Sequence, residues 1–194
     1  MIVLVKDYFD MEIIGKTIDD AAGEAFDKIG KIFDLDYPAG PIIDKLAREG
    51  NPDAFTFNKP KLENYDYSFS GIKTSVLYFI QKEVRKNPDF IKENLNDLCA
   101  SVQKCIIEIL MKKLEKAAQE LSIREVAIAG GVSANSALRK AMEDNKEKMG
   151  WNIYIPKFEY TTDNAAMIAM VAQLKFERGE FTDLRTTATA KYDL

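Results

Sequence analysis

Between Arg124 and Gly179 the chain reads strand, helix, strand, helix, as REVAIAGG, VSANSALRKAMEDNKEKM, WNIYIP and TTDNAAMIAMVAQLKFERG. Two strands separated by a helix of that length pair in parallel, because the crossover carries the chain back to the edge at which the first strand began. The spacing therefore predicts a parallel α/β unit with helical cover. AIAGG puts Gly130 and Gly131 at the carboxyl edge of the first strand, where backbone N–H groups stand clear of side-chain bulk. Asn135 follows at the start of the helix and carries both a donor and an acceptor for a base or sugar edge. A plainer reading is that the glycines only turn the chain and Asn135 caps the helix. The stretch is neither GxGxxG nor a Walker loop, so the pattern leaves both readings open.

Upstream, IVLV and MEIIGKT read as two strands of a hairpin turning near Asp7 to Asp10. Thr17 is expected to cap a helix over TIDDAAGEAFDKIGKIF, with Asp20 in the capping-box position. Its apolar stripe is Ile18, Ala21, Ala22, Ala25, Phe26, Ile29 and Phe33. DYPAGPIIDKLAREG combines a proline-rich turn with a short helix, and NPDAFTFNKPKLENYDYSFSG lacks periodicity and reads as loop. A helix resumes from Ile72 to Val84 and breaks near Asn87 and Pro88. NLNDLCASVQKCIIEILMKKLEKAAQEL then makes one long helix, apolar around most of its circumference between Cys105 and Met111, which predicts burial on more than one side. The helix after TTDN reads as buried, and the tail TDLRTTATAKYDL as surface-bound or frayed.

The chain has 194 residues, 46% hydrophobic and 30% charged, enough for one domain with a substantial core. Its only cysteines, Cys99 and Cys105, fall in one helix and point in different directions, against a disulfide or zinc framework. No apolar run is long enough to span a bilayer, and MIVLVKDYF does not read as a signal peptide, so a cytoplasmic location is expected. A net charge of −4 argues against a surface that by itself carries affinity for a phosphate backbone.

Three further places carry polar groups of interest. Asp20, Glu24, Asp27 and Lys31 share one face of the first helix, as a solvated row or as acceptors for ribose hydroxyls. Gly40, between two prolines in PAGP, makes a rigid and uncrowded turn. YDYSFSGIKTS surrounds Lys73 and Gly71 with aromatics and hydroxyls, either as a clamped turn or as a stacking surface for a nucleotide. Asp163 is either a helix cap or a ligand; histidine is absent from the chain, so a metal there would need carboxylates distant in sequence or groups outside the chain.

Taken in order, GKTIDDAAGEAFDK, YPAGP, YSFSGIKTS, NDLCASVQ, IAGGVSANSALR and TTDNAAMIA resemble the carboxyl-terminal part of the Kae1/TsaD/Gcp/Qri7 family of tRNA N6-adenosine threonylcarbamoyltransferases. The resemblance runs from about Ile2 to Glu180. It implies an actin-like (ribonuclease H-like) fold, of which this chain is a single domain over 1–194, a second lobe with a helical and loop insertion at about 38–96. It also implies transfer of threonylcarbamoyl from its adenylate to adenosine 37 of tRNA, in company with partner proteins of the modification complex. By resemblance, Asp27, Gly40 and Asn135 would contact substrate, Gly130 and Gly131 would line the nucleotide, and Asp163 would be one ligand of a divalent metal, iron or zinc. No nucleophile or other catalytic residue is implied.

The chain departs from the family pattern in lacking the HxxxH motif and the SGGNT-type segment with its strand, and in having Ala39 and Ala129 where glycine is usual. The expectation is an incomplete lobe that lacks its first strand, holds no metal stably, transfers nothing alone and self-associates through its open sheet. The competing expectation is a non-catalytic nucleotide-binding or assembly module.

Overall fold

The structure, a computed structural model, describes residues 1–187; most of the tail beyond Thr182 thus lies outside the described residues. β1 (Ile2–Asp7) and β2 (Asp10–Gly15) form the expected antiparallel hairpin. Then come α1 (Ala22–Ile32), α2 (Ala39–Ala47), a long loop, α3 (Ser70–Val84) and α4 (Phe90–Glu120). β3 (Glu125–Ala127), α5 (Ser136–Met149), β4 (Asn152–Tyr154) and α6 (Ala165–Glu177) complete an α/β fold of many helices and small open sheets. β3 and β4 pair in parallel with α5 as their crossover.

α4 is the spine. Cys99, Val102, Ile106 and Ile109 face a core shared with Phe26 and Ile29 of α1, Ile43 of α2, and Ile72 and Val76 of α3. Ile107, Met111 and Ala118 face a second core with Val126, Leu138, Met142 and Trp151. The all-round apolar pattern of its middle thus has a cause, since one helix serves two cores and consecutive isoleucines point into different ones. α1 and α2 approach closely because Gly30 has no side chain; a methyl there would sit 2.1 Å from the Cβ of Ala39. The Ala39 methyl fills that space and is buried. Ala129 has no left-handed backbone, so alanine carries no strain there.

Three expectations are corrected. The helix expected from Thr17 begins four residues later, with Ala21 as its N-cap and Glu24 accepting from the Ala21 N–H at 3.4 Å. Thr17 is committed elsewhere: its backbone bridges Tyr67, and its Oγ1 donates to the Asp20 carbonyl at 2.7 Å. Ile18 therefore leaves the apolar stripe and is 60% exposed. Gly40, expected in a rigid turn between two prolines, instead lies in the first turn of α2, whose N-cap is Pro38. Of the two readings left open for YDYSFSG the structure has the clamped turn, Tyr67 stacked on Phe69 at 5.8 Å and both buried.

The helix expected to be buried after TTDN is the third. None of the residues of α6 is buried. Met167, Ile168, Met170, Val171 and Phe176 are all exposed, because among the described residues no element packs along it. It touches the hairpin only at its end, where Arg178 pairs with Asp7 at 2.6 Å and lies over the ring of Phe9. The hairpin and the β3–β4 pair form separate two-stranded sheets. Ile2, Leu4 and Ile14 face Val126, Ala127 and Leu121 across a groove of about 80 Å³.

Candidate functional site

β3 runs into Gly130, whose φ of +80° is available to glycine at no cost, and the chain then makes a short 3₁₀ turn over Gly131–Ala134. A side chain added at Gly130 or Gly131 would meet nothing within 4 Å, so the turn faces open space. α1 reaches it. Gly23 of α1 lies against Val132, its missing Cβ 3.6 Å from the valine methyl. One turn along α1, Asp27 accepts the Ala39 N–H at 2.8 Å and so caps α2, leaving Gly40 with only the Phe26 Cβ near it at 3.9 Å. α1 thus touches the stretch after the glycines through Gly23 and Val132, and the start of α2 through Asp27 and Ala39. Asp20 and Glu24 are drawn off to Lys28, at 2.6 and 2.9 Å.

Asn135 performs the plainer of its two roles. Its Oδ1 accepts from the N–H groups of Ala137 and Leu138, both at 3.0 Å, and its Nδ2 donates to Gln103 of α4 at 2.7 Å. The side chain is buried and caps α5. Beside it, the N–H and Oγ of Ser136 both donate to Asp44 of α2, at 3.1 and 2.6 Å. These bonds fix the start of α5 against α2 and α4 and so hold the glycine turn in place. Ser133 adds a buried hydroxyl with no partner.

Asp163 lies exposed in the loop before α6, and the cap of α6 is its neighbour: Asn164 Oδ1 accepts from the Met167 N–H at 3.1 Å. Among the described residues no three of the histidine, cysteine, aspartate or glutamate class come together as metal ligands. A lone exposed carboxylate fits one corner of a coordination sphere and no more, so the residues present do not fit a metal.

Several contributors had no signal in sequence. Asp44 and Gln103 reach the start of α5 through contacts distant along the chain, Asp44 with Ser136 and Gln103 with Asn135. Asp19, beside the more conspicuous Asp20, accepts from Ser68 Oγ at 2.5 Å, Phe69 N–H at 2.7 Å and Ser70 Oγ at 2.8 Å. It thereby pins the start of α3 to the approach to α1. Burial raises the Asp19 pKa, but the hydrogen bonds from Ser68, Phe69 and Ser70 outweigh it and pull the carboxyl down to about 2. Arg139 on α5 donates from Nε to the Ser133 carbonyl at 2.8 Å and from Nη2 to the Pro156 carbonyl at 2.7 Å, tying the glycine turn to the loop after β4. A separate cleft of about 210 Å³ lies between Pro52–Lys59 and α4, but its two lysines are already paired, Lys59 with Glu108 and Lys104 with Asp53.

A family profile described as tRNA N6-adenosine threonylcarbamoyltransferase matches residues 1–170. A protein of that name from Riemerella anatipestifer is 83% identical over 194 residues, which is 100% of this chain and 57% of that protein. Proteins of the same name from Christiangramia forsetii and Porphyromonas gingivalis are 56% and 58% identical, over 98% and 93% of this chain and 56% and 53% of their own lengths. The chain thus spans a little over half the length of the curated relatives it matches.

Proposed function

Because the chain belongs to the tRNA N6-adenosine threonylcarbamoyltransferase family, we propose that it forms the lobe of such an enzyme that holds an adenine nucleotide. In this reading residues 1–194 are one domain, the second lobe of an actin-like fold without its first strand, and 38–96 are an insertion within it. The observation that carries the proposal is the open glycine turn at the carboxyl edge of the parallel pair, the edge at which α/β folds take ligands. Gly130 and Gly131 let a nucleotide approach the backbone, and Gly40 leaves the start of α2 uncrowded. Asp27 keeps one carboxylate oxygen for a ribose hydroxyl while the other caps α2. Asn135 acts by fixing the turn, and touches a nucleotide only if it exchanges its bond to Gln103.

The reaction proposed for the complete enzyme is attack by the N6 amine of a tRNA adenosine on the carbonyl of threonylcarbamoyl-adenylate. A carbamoyl C–N bond forms, the bond to the AMP phosphate oxygen breaks, and the amine proton leaves to solvent. This chain's share is placement of the adenylate, which for acyl-type transfer is a large part of the barrier. Asp163 would give at most one ligand to a divalent metal completed elsewhere. Alone the chain transfers nothing; with the remaining length of its relatives and with partner proteins it works in the cytoplasm.

Calorimetric titration of ADP or a non-hydrolysable threonylcarbamoyl-adenylate analogue tests the reading. Binding that weakens with Asp27→Asn supports it; no heat from a chain with intact circular dichroism refutes a preformed half-site. The exposed apolar α6 and the open strand edges favour a second reading, an assembly module without nucleotide binding. It predicts self-association in light scattering and no adenylate binding even when the complementary lobe is supplied.

A further inference from the structure

β3 and β4 are parallel, so the chain leaves both at the same edge, from β3 into Gly130–Gly131 and from β4 into Pro156–Tyr160. Arg139 joins these two exits through its bonds to the Ser133 and Pro156 carbonyls. With Nε and Nη2 engaged, the guanidinium plane is fixed. The ring of Phe158 lies on it, 4.0 Å from Cζ to the ring centroid. An exposed phenylalanine normally has no reason to be held. This one is 65% exposed, yet it is backed by a cation whose own position is set by two backbone carbonyls. Burial gives no account of the arrangement, since the ring enters neither core.

Such a stack has a chemical use. An aromatic face held rigidly beside an open backbone turn receives a planar π-system at little entropic cost, and because preference between bases follows stacking strength, the two-ring adenine gains more on such a face than the one-ring uracil. The net charge of −4 leaves little general attraction for phosphate, so affinity at this edge must come from local contacts such as stacking. We propose that the outer face of Phe158, backed by Arg139, is a stacking platform for an adenine base presented at the glycine turn. The inference rests on the nucleotide-binding reading above and adds to it a residue outside the family motifs that sequence singled out. The base is carried either by a mononucleotide or by a single-stranded RNA loop; both present the same ring.

The test titrates ADP, UDP and a short adenosine-containing RNA loop into the wild-type chain, Phe158→Ala and Phe158→Tyr. Loss of a base–aromatic stack is expected to weaken ADP or the RNA about five- to hundred-fold in Phe158→Ala. The tyrosine variant should keep the affinity, and the preference for ADP over UDP should collapse in the alanine variant, a change that a structural role would not cause. Whichever adenine probe responds identifies the carrier. Unchanged affinity of both adenine probes in Phe158→Ala overturns the platform and leaves nucleotide binding standing. So does an equal loss of ADP and UDP. Failure of the wild-type chain to bind any of the three probes overturns platform and nucleotide reading together.

Discussion

Asp19→Asn should cost about 1 kcal/mol of stability at neutral pH, and the cost should vanish in acid. The carboxylate holds Ser68, the Phe69 N–H and both polar groups of Ser70 at the start of α3, where a helix dipole also favours negative charge. A carboxyl drawn from 3.8 to about 2 carries a ceiling of roughly 2.5 kcal/mol at about 1.4 kcal/mol per unit. Asp19 lies at the surface, so solvent screening reduces this to about 1 kcal/mol. The folded pKa is depressed, so the stabilisation is complete above the unfolded value near 3.8 and is lost as pH falls through about 2. Urea unfolding followed by the fluorescence of buried Trp151, at a series of pH values from 7 down to 2, should show the two proteins separated by about 1 kcal/mol at the top and converging at the bottom. A separation that persists unchanged into acid would mean that the asparagine disturbs packing and that charge at α3 is not the cause.

Other substitutions separate space from function. Gly30→Ala drives a methyl to 2.1 Å from Ala39 and should cost about 1–3 kcal/mol in thermal unfolding. Gly131→Ala meets nothing and should leave stability within about 0.5 kcal/mol, while ADP binding weakens in calorimetry because the open turn is narrowed. Burial pushes the Cys99 thiol up to about 12 and the Cys105 thiol up to about 11, so neither should react with a disulfide reagent at pH 8 until urea unfolds the chain.

What sequence disclosed was whatever local pattern encodes. The hairpin, a short helix in DYPAGPIIDKLAREG, the break at Asn87–Pro88 and the double-faced middle of α4 follow from periodicity and breakers, and the structure has all of them, with the short helix starting at Ala39 inside the proline-rich stretch. The glycine turn was legible for the same reason, since a strand running into two glycines is a local signal. Choices between adjacent equivalents were not. Asp19 and Asp20, or Asp163 and Asn164, offer nearly the same chemistry, and only the register of the backbone decides which oxygen meets which N–H. Thr17 lost its expected cap to a bridge with Tyr67, a partner fifty residues away that no local pattern announces.

α6 shows the same limit in its energetics, and it makes a further test. AAMIAMVA forms a helix on propensity, and its apolar residues on every side promised burial. The neighbours that would supply it are a tertiary matter. Each large apolar side chain left in water forgoes about 1.5–3 kcal/mol, and the ion pair of Arg178 with Asp7, exposed on both sides, returns at most about 1 kcal/mol. A helix so held should open far more readily than α4, which is locked between two cores. Amide hydrogen exchange of the dilute chain should therefore release α6 well before the middle of α4. If self-association covers α6, raising the protein concentration should slow its exchange and leave α4 unchanged. Exchange as slow in α6 as in α4 at every concentration would contradict the exposed position of the helix.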